Sequence, residues 1–580
     1  MLFSELANTF DRLERTGGRL EMTAILADFF RGADPSGLRD SVYLSQGRLH
    51  PEYFPQELGM ADKLVLRSIS MAAAKPYDEV EREWVRAGDP GTVAESLIKG
   101  GGQTTLFSEP LTLGRVMSGL GEIEMAEGKD SQDRKMKKLF LLLRDAGPAE
   151  SKYLCRIVTG RMRVGAGAMT VLEALAEAFS SKEARADVER AYNITCDMGL
   201  VAETIASGGI EAVRAMRVSV GSPIKVMLAE RLPSVGQIVE RMGGRCAMEY
   251  KYDGIRVQAH IGREVKLYSR RLEDLTPNFP DVAEELRRAC LAKEAIVEGE
   301  CVAVDGSGAM LPFQTVTHRR KKHGMDKAVE DYPVRMFMFD MLYRDGEDLT
   351  VRPLPERRAA LEGAFGPSDK VGLTSMEIVE DAAAGERFFS TALAARCEGV
   401  MAKSLKPESV YRAGSRGFLW IKYKKDYEEA LSDTFDLAVV GAFYGMGKRA
   451  GKYGALLMAA YDHEAGRYCT VCKLGTGFDD SFLDGLPSMM EGHASREKPH
   501  DVDAQMEPDA WFVPAVVLEV TAAEISLSPI HTAASSSLGG GGLGLRFPRF
   551  TGRVRDDKGP EQCTTAAEIL EMYEERGGGA

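Results

Sequence analysis

The stretch MEYKYDGIRVQAH, Met248–His260, decides how the middle of the chain is interpreted, because it surrounds one lysine with a turn and a strand. From Ile255 onward apolar and polar residues alternate, which predicts a half-buried strand with Ile255 and Val257 on one face. The pair Asp253-Gly254 is a turn signal. Lys251 precedes it, either as an ordinary surface charge or as a nucleophile directed into a pocket. The pattern alone favours the surface charge, so the rest of the chain must decide.

The composition predicts a folded protein of several domains. A length of 580 residues suggests about three or four domains. A hydrophobic content of 44% with 28% charged residues is typical of soluble globular proteins. No apolar run approaches the roughly 20 residues that span a bilayer, and the N-terminus lacks the pattern of a signal peptide. We therefore expect a cytoplasmic protein with no membrane partner.

The nine cysteines indicate reduced thiols. Their odd number, without export, is typical of a reducing compartment. Only Cys469 and Cys472 have metal-type spacing. Because no second pair lies nearby, two small core residues are favoured over a structural zinc site.

Charge is unevenly distributed along the chain. The net charge of −13 argues against indiscriminate binding of polyanions, although it does not describe local fields. Basic clusters occur at Thr317–Gly324, Trp420–Tyr427 and Arg546–Lys558. Each is either a solvated face or a binding surface.

The periodicity of apolar residues divides the chain into three parts. Helical spacing dominates at first, as with Phe3, Leu6 and Phe10. Short β-rich runs mixed with helices follow, which is an α+β pattern. From about Phe435 strands dominate and predict a small β-barrel, with Ser535–Leu545 as a loop. The predicted domains are residues 1–215, 216–427 and 428–580.

Seven short motifs occur in one order between residues 249 and 558 and carry a resemblance to a known family. They are EYKYDGIRV, YSRRLED, VEGECV, MFMFDMLY, EGVMAK, WIKYKKDY and LRFPRFTGRVRDDK. In this order the chain resembles the ATP-dependent DNA ligases of archaeal type, members of the nucleotidyltransferase superfamily. The resemblance implies a multidomain protein with an all-α N-terminal DNA-binding domain, an α+β nucleotidyltransferase (adenylation) domain and a C-terminal OB-fold β-barrel.

The same resemblance implies a reaction in three steps. Lys251 would attack the α-phosphate of ATP and form a lysyl-AMP, with release of pyrophosphate. The AMP would pass to the 5′-phosphate of a nick in duplex DNA, and the 3′-hydroxyl would displace it. A free lysine is almost fully protonated at neutral pH and cannot attack. Lys422, Lys424 and a bound metal could supply the positive field that lowers its pKa.

The resemblance also implies a set of nucleotide-binding residues. Glu249 would recognise adenine or hold the edge of the pocket. Phe339 would stack on adenine, although its pattern alone favours core packing. The arginines would bind ribose and phosphate oxygens as bidentate donors. The ATP-binding set is Glu249, Arg256, Arg270, Glu300, Phe339, Arg416, Lys422, Lys424, Arg555 and Lys558.

Two carboxylates are implied as ligands of Mg²⁺. Glu300 and Glu398 offer the oxygen atoms that this cation prefers, together with substrate phosphates. Two isolated glutamates in strands are otherwise solvent-facing.

Contacts with partners are implied at two further places. Arg161 and Arg163 precede a predicted helix, where a DNA phosphate could bind; the alternative is a plain loop-to-helix junction. Gln103, Leu106 and Phe107 resemble a shortened motif for docking on a sliding clamp; alternatively Phe107 packs into its own domain. A monomer is expected.

Three alternatives are weighed against a ligase that uses ATP. An RNA ligase or capping guanylyltransferase shares KxDGxR, but capping enzymes lack the long helical region. A catalytically dead DNA clamp would not need the complete set of charged residues around Lys251. An enzyme that uses NAD would carry a four-cysteine zinc module, for which this chain has no matching spacing.

Overall fold

The computed structural model describes residues 1–54, 58–98, 110–320, 325–424, 434–445, 452–495, 497–539 and 541–575. The chain divides into two compact units, Met1–Lys425 and Asp426–Ala580. Among the helices described, none has the length and apolar character required to cross a bilayer.

The first unit begins with a helical region, as the sequence predicts. In the first helix Phe3, Leu6, Phe10 and Leu13 are buried at three- and four-residue spacing, so that one face enters the core. The helices are α1 (Phe3–Glu14), α2 (Arg19–Gly32), α3 (Pro35–Ser45), α4 (Asp62–Ala73), α5 (Tyr77–Ala87), α6 (Pro90–Leu97), α7 (Leu113–Glu124), α8 (Ser131–Asp145), α9 (Pro148–Val158), α10 (Ala168–Phe179), α11 (Arg185–Thr195) and α12 (Met198–Ala215).

After residues 216–227, which form neither helix nor strand, the same unit continues as an α+β region. Its elements are β1 (Leu228–Arg231), α13 (Val235–Met242), β2 (Cys246–Lys251), β3 (Ile255–Ile261), β4 (Val265–Ser269), α14 (Pro280–Ala289), β5 (Ala295–Ala303), α15 (Phe313–Thr317), α16 (Met325–Asp331), β6 (Val334–Arg344), β7 (Glu347–Asp348), α17 (Leu354–Glu362), β8 (Val371–Leu373), β9 (Met376–Val379), α18 (Ala382–Ala394), β10 (Gly399–Ser404) and β11 (Arg416–Lys424).

These strands form two sheets. The first has the order β1-β11-β10-β2-β9, with β1 parallel to β11 and the other pairs antiparallel. The second has the order β4-β3-β5-β6-β7, and β8 pairs in parallel with β6. The core of the second sheet is built from its own strands and α14.

The opening stretch of sequence carries the chain from one sheet to the other. Lys251 is the last residue of β2, and β3 begins at Ile255 in the second sheet. Gly254 is required at this crossing because a Cβ there would lie 2.4 Å from the carbonyl oxygen of Cys301. The prediction of a half-buried strand is wrong, since Gln258 and His260 are buried as well. Their side chains bind residues 221–224, which cover that face.

The second unit is rich in strands. Its elements are β12 (Thr434–Tyr444), β13 (Tyr453–Asp462), β14 (Arg467–Leu474), α19 (Asp480–Met490), β15 (Ala494–Ser495), β16 (Val502–Asp503), β17 (Ala510–Phe512), β18 (Val517–Thr521), β19 (Glu524–Ser528), α20 (Ser535–Leu538), β20 (Gly542–Arg546), β21 (Arg549–Val554) and α21 (Ala566–Glu575). One sheet follows the path β15-β17-β12-β13-β14-β16, with β18 between β12 and β21, and β19 pairs with β20.

Two details of this unit bear on the sequence analysis. The prediction of a loop over Ser535–Leu545 is wrong in part, because α20 lies within this range and β20 begins within it. The glycines of β20 permit a close approach of the backbone, since a Cβ on Gly542 would lie 2.4 Å from the His531 carbonyl oxygen. Cys469 and Cys472 are buried in the apolar core and all nine cysteines are free. This placement matches the interpretation as core residues.

Candidate active site

A cleft of about 240 Å³ lies between the two sheets of the first unit. One wall is the face of the first sheet, where the register aligns two cross-strand rows. Lys251 is opposite Gly399, which is opposite Lys424. Glu249, Met401 and Lys422 form the next row. Because side chains on one face recur every second residue, both rows point into the cleft.

Glu398 stands beside the lysine that ends β2. One of its carboxylate oxygens pairs with the ammonium group of Lys251 and the other with that of Lys424. The backbone N–H of Glu398 also donates to the Lys251 carbonyl oxygen at 2.9 Å. Lys251 is therefore held in place through both its side chain and its backbone.

The inner end of the cleft contains a buried ion pair. Lys403 and Glu249 are both almost fully buried, and Lys403 Nζ lies 2.7 Å from Glu249 Oε2. Burial raises the pKa of Glu249, while Lys403 counteracts the rise. Within the described residues Glu249 Oε1 accepts no hydrogen bond. Arg358 Nη1 lies 3.9 Å from this oxygen, beyond hydrogen-bond distance, so the oxygen can accept a hydrogen bond from an amino group of a ligand.

Phe339 enters the cleft because β6 changes register at that point. Met338 pairs with Gly299 and Asp340 with Glu298, so Phe339 is the extra residue of a bulge. Its ring lies edge-on to Trp420 at 6.1 Å, and the Lys403 ammonium lies 4.8 Å from the ring centroid. An aromatic ring in this position can stack on a planar base.

The opposite wall comes from β3 and β5, where Arg256 pairs with Glu300. Arg256 Nη2 donates to Glu298 at 2.8 Å. Burial raises the pKa of Glu300 to about 7, although Lys251 and Arg256 pull it down in part. A further positive charge beside Glu300 would therefore have a large effect on the pKa of this carboxyl and would favour its ionised form.

The outer part of the cleft is strongly cationic. Arg270, Arg416 and Lys422 line it together with Lys251 and Lys424. The pKa of Lys422 is lowered, first by burial and then by repulsion from these neighbouring cations. Cations that repel one another in a partly dry cleft form a binding site for polyphosphate.

The carboxylates of the cleft fit a magnesium ion only in combination with phosphate. Among the described residues no group of three or more His, Cys, Asp or Glu could hold a metal. Glu300 and Glu398 both lie beside Lys251. Two protein oxygen donors, with the rest supplied by phosphates and water, are typical of Mg²⁺, and the raised pKa of Glu300 shows a carboxyl that a cation would stabilise.

The structure thus brings together most of the nucleotide-binding residues expected from sequence. The members found in the cleft are Glu249, Arg256, Arg270, Glu300, Phe339, Arg416, Lys422 and Lys424. Arg555 and Lys558 belong to the second unit, where each donates to Asp436 Oδ2 at 2.6 Å.

The residues expected to bind DNA lie between α9 and α10. Arg161 pairs with Asp62 at 3.1 Å, and Arg163 donates to the Gly88 carbonyl oxygen at 3.0 Å. The helix that follows begins at Ala168, as the sequence predicts, and its first turn has no side-chain cap. Gln103, Leu106 and Phe107 lie outside the described residues.

Lys403 and Trp420 are cleft residues that the sequence did not single out, and Arg319, elsewhere in the fold, is neither a solvated residue nor part of a binding surface. Lys403 and Trp420 line the cleft. Both lie in motifs quoted above, and each is two residues along its strand from another residue of the cleft. This spacing, which places them on the same strand face, is the signal in the sequence that could have identified them. Arg319, in the basic cluster Thr317–Gly324, is fully buried and pairs with Asp281 at 2.6 Å. It is a structural residue, and Lys321 and Lys322 lie outside the described residues.

Comparison with known families covers most of the chain. A family model described as DNA ligase N terminus matches residues 2–176, and one described as ATP dependent DNA ligase domain matches residues 226–424. A third, described as ATP dependent DNA ligase C terminal region, matches residues 449–558.

Individual proteins are similar over nearly their full length. DNA ligase 2 of Thermofilum pendens is 48% identical over 98% of this chain and 97% of its own. The DNA ligase of Caldivirga maquilingensis is 46% identical over the same shares. A solved structure named Pmar-Lig_Pre is 15% identical, with a TM-score of 0.52 over 95% of this chain and 99% of that one. At this identity the likeness concerns the fold alone.

Proposed function

The chain belongs to the ATP-dependent DNA ligase family and is an ATP-dependent DNA ligase, and we propose that it seals nicks in duplex DNA through AMP carried on Lys251. The cleft supports this proposal because a lysine at a fixed strand end lies between a site for a planar base and a cationic site for phosphates. Nick sealing of this kind serves DNA replication, repair and recombination.

The first step is nucleophilic attack on ATP. Lys251 Nζ, after losing a proton, attacks the α-phosphorus and forms a phosphoramidate, and pyrophosphate leaves. In the second step an oxygen of the 5′-phosphate attacks the α-phosphorus of the lysyl-AMP, the P–N bond breaks, and the AMP moves to the nick while Lys251 regains its lone pair. In the third step the 3′-hydroxyl attacks the 5′-phosphate and AMP leaves. Covalent catalysis thus divides one difficult substitution into easier ones.

We assign the remaining residues by their place in the cleft. Glu249 Oε1 accepts from the adenine amino group, and Phe339 stacks on the base. Arg256 binds the ribose side, while Arg270, Arg416, Lys422 and Lys424 bind phosphate oxygens. These donors stabilise the charge that develops on the transferred phosphoryl group.

Glu300 and Glu398 are the residues that would hold Mg²⁺. When bound, the ion neutralises charge on the phosphates and on the leaving group. Glu398 has a second task, because its carboxylate pairs with the Lys251 ammonium and must part from it before the amine can attack.

We propose three domains with boundaries 1–215, 216–427 and 428–580, the last being an OB-fold barrel. The path β18-β12-β13-β14 of antiparallel neighbours is compatible with that fold. Arg555 and Lys558 are assigned to the pyrophosphate portion of ATP in the first step.

Further assignments concern partners. Arg161 and Arg163 contact DNA phosphates, and Gln103, Leu106 and Phe107 dock on a sliding clamp. Loss of clamp capture by Phe107→Ala, in a protein that keeps its melting temperature, would support the docking. The protein acts as a monomer. It acts in the cytoplasm, a location that agrees with its free cysteines.

The deciding experiment compares wild type with Lys251→Ala, each offered ATP or NAD and a nicked duplex. Wild type should gain the mass of one AMP on Lys251 and seal the nick with ATP only. The variant should neither gain AMP nor seal, yet it should seal a nick that already carries AMP. Adenylylation of another residue would overturn the proposal.

A further inference from the structure

The segment that joins the helical region to the sheets takes part in the wall of the nucleotide cleft. Its last residue, Met227, donates its backbone N–H to the Tyr411 hydroxyl at 2.9 Å. Its carbonyl oxygen accepts from Arg256 Nη1 at 3.0 Å. The Tyr411 hydroxyl donates to Glu298 Oε2 at 2.9 Å, and Arg256 Nη2 donates to the same oxygen at 2.8 Å. The four residues therefore form a closed ring of hydrogen bonds.

The ring is removed from solvent. Glu298 is fully buried, and Met227 and Tyr411 are almost so. Apolar side chains of the same cluster, including Ile224 and Trp420, surround it. Hydrogen bonds in such surroundings are strong, and a partner left unpaired is costly. The position of each member consequently depends on the others.

One side of the ring faces the cleft. Arg256 lines the cleft, and so do Leu228 and Ala229, which directly follow Met227. In the described part of the chain Arg256 Nε, although buried, donates to no acceptor. The ring thus uses Nη1 and Nη2 of the guanidinium and leaves the Nε–H without an acceptor among the described residues.

The other side of the segment is tied to the helical region. The Lys225 backbone N–H donates to the Asn193 carbonyl oxygen at 2.7 Å. The Lys225 ammonium pairs with Glu52. Asn193 Nδ2 donates to the Ala413 carbonyl oxygen at 3.1 Å. Only one residue, Val226, separates Lys225 from Met227 in the ring.

We infer that Tyr411 is a positioning residue that fixes Arg256 in the nucleotide cleft through Met227 and Glu298, and so couples the cleft to the segment that anchors the helical region. The inference rests on the proposed binding of ATP in this cleft. By reciprocity, a nucleotide that engages Arg256 must stabilise the segment, because the segment stabilises Arg256.

The full-length variants Tyr411→Phe and Tyr268→Phe form a matched pair for the test. The Tyr268 hydroxyl also donates to this segment, to the Gly221 carbonyl oxygen at 3.1 Å, but it is not part of the ring. Each change removes one hydroxyl. Single-turnover adenylylation by ATP gives a half-saturating concentration and a limiting rate for each protein.

Tyr411→Phe should raise the half-saturating ATP concentration about three- to tenfold, since one net hydrogen bond is worth about 1 kcal/mol and 1.4 kcal/mol is tenfold. Its limiting rate should stay within about twofold of wild type, because Lys251 is untouched. Tyr268→Phe should leave both values unchanged. Equal values for the two variants, or a change in the limiting rate alone, would overturn the inference.

A second measurement uses the wild type only and so does not depend on the folding of a variant. Hydrogen exchange of the peptide that contains residues 221–228 is followed before and after addition of ATP. The ring predicts slower exchange with ATP, and equal exchange would contradict the coupling. If Lys251 takes up no AMP, the proposed function itself fails, which is a separate result.

Discussion

The carboxylate of Glu398 pairs with the ammonium group of Lys251, the amine that we propose to carry AMP. A protonated lysine held by a carboxylate cannot attack phosphorus, because its lone pair is occupied by the proton. Transfer of Glu398 to a magnesium ion would release the lysine and at the same time place positive charge beside it. The pair is therefore expected to hold the resting enzyme inactive until nucleotide and metal are present.

Glu398→Gln distinguishes these two tasks. The change keeps the shape of the side chain but removes its charge. We expect self-adenylylation to slow about tenfold or more at limiting Mg²⁺, since one charged metal ligand is lost. The rate of AMP uptake is measured over a series of Mg²⁺ concentrations. If Glu398 were only a counter-ion that restrains Lys251, the variant would take up AMP at least as fast as wild type. Glu377→Gln, an exposed glutamate of β9, is the control.

Glu300 should make stability depend on pH in the absence of metal. Burial raises its pKa to about 7 in the folded protein, whereas in the unfolded chain it is near 4.5. Between these values the folded state binds more protons, so the free energy of unfolding falls as pH rises, by about 1–3 kcal/mol in total. Glu300→Gln removes this dependence. In EDTA at pH 8 the variant should have a higher melting temperature than wild type. This difference in melting temperature should become smaller towards pH 5. A gap that is equal at both pH values would contradict the assignment.

Arg161 is expected to exchange its ion pair with Asp62 for a DNA phosphate. Asp62→Asn frees the arginine, so nicked DNA should bind more tightly. Arg161→Ala should weaken binding and reduce the slope of log affinity against log salt by about one, the value for one phosphate contact. Fluorescence anisotropy over a range of salt concentrations measures both effects. Arg214→Ala is a suitable control, because Arg214 is an equally exposed, ion-paired arginine of the helical region. Equal slopes for Arg161→Ala and the control would exclude a phosphate contact.

Arg319 should behave as a structural residue. Its guanidinium donates to Asp281 at 2.6 Å and to the Tyr332 carbonyl oxygen at 2.7 Å, and it is fully buried. Arg319→Met removes the close ion pair of Asp281 and leaves it only Lys370, at 3.5 Å, so it should cost about 3–5 kcal/mol of stability. Thermal unfolding measures the loss, and the salt slope of DNA binding should not change. If the variant instead kept the wild-type melting temperature and had a smaller salt slope, the alternative that Arg319 belongs to a binding surface would be supported.

The sequence could predict those parts of the site that depend on local order. Lys251, Glu300 and Lys422 each lie in a short run whose residue types are tied to the chemistry, and those runs follow one another along the chain. The strand β2 was not foreseen, because Cys246–Glu249 is buried on both faces and so shows no alternation.

Features that depend on distant contacts could not be predicted. Lys403 and Arg319 look like surface charges until Glu249 and Asp281 are seen beside them. Phe339 faces the cleft because of one extra residue in β6, and pairing register is set by the neighbouring strand. Met227 lies in an irregular segment, where no periodicity indicates which backbone groups are buried.

Lys558 should act in the first chemical step only. Lys558 Nζ and Arg555 Nη1 both donate to Asp436 Oδ2 at 2.6 Å, so Lys558→Ala leaves Asp436 with one cation and should fold normally. If Lys558 binds the pyrophosphate that leaves the α-phosphorus of ATP, the variant should form lysyl-AMP about 10- to 100-fold more slowly, because one charge that stabilises the transition state is lost. A nick that already carries AMP has no pyrophosphate, and its sealing should proceed at the wild-type rate. Lys452→Ala, which removes another ion-paired lysine of the second unit, should change neither step. Equal loss in both steps would instead indicate that Lys558 binds DNA or maintains the fold of its unit.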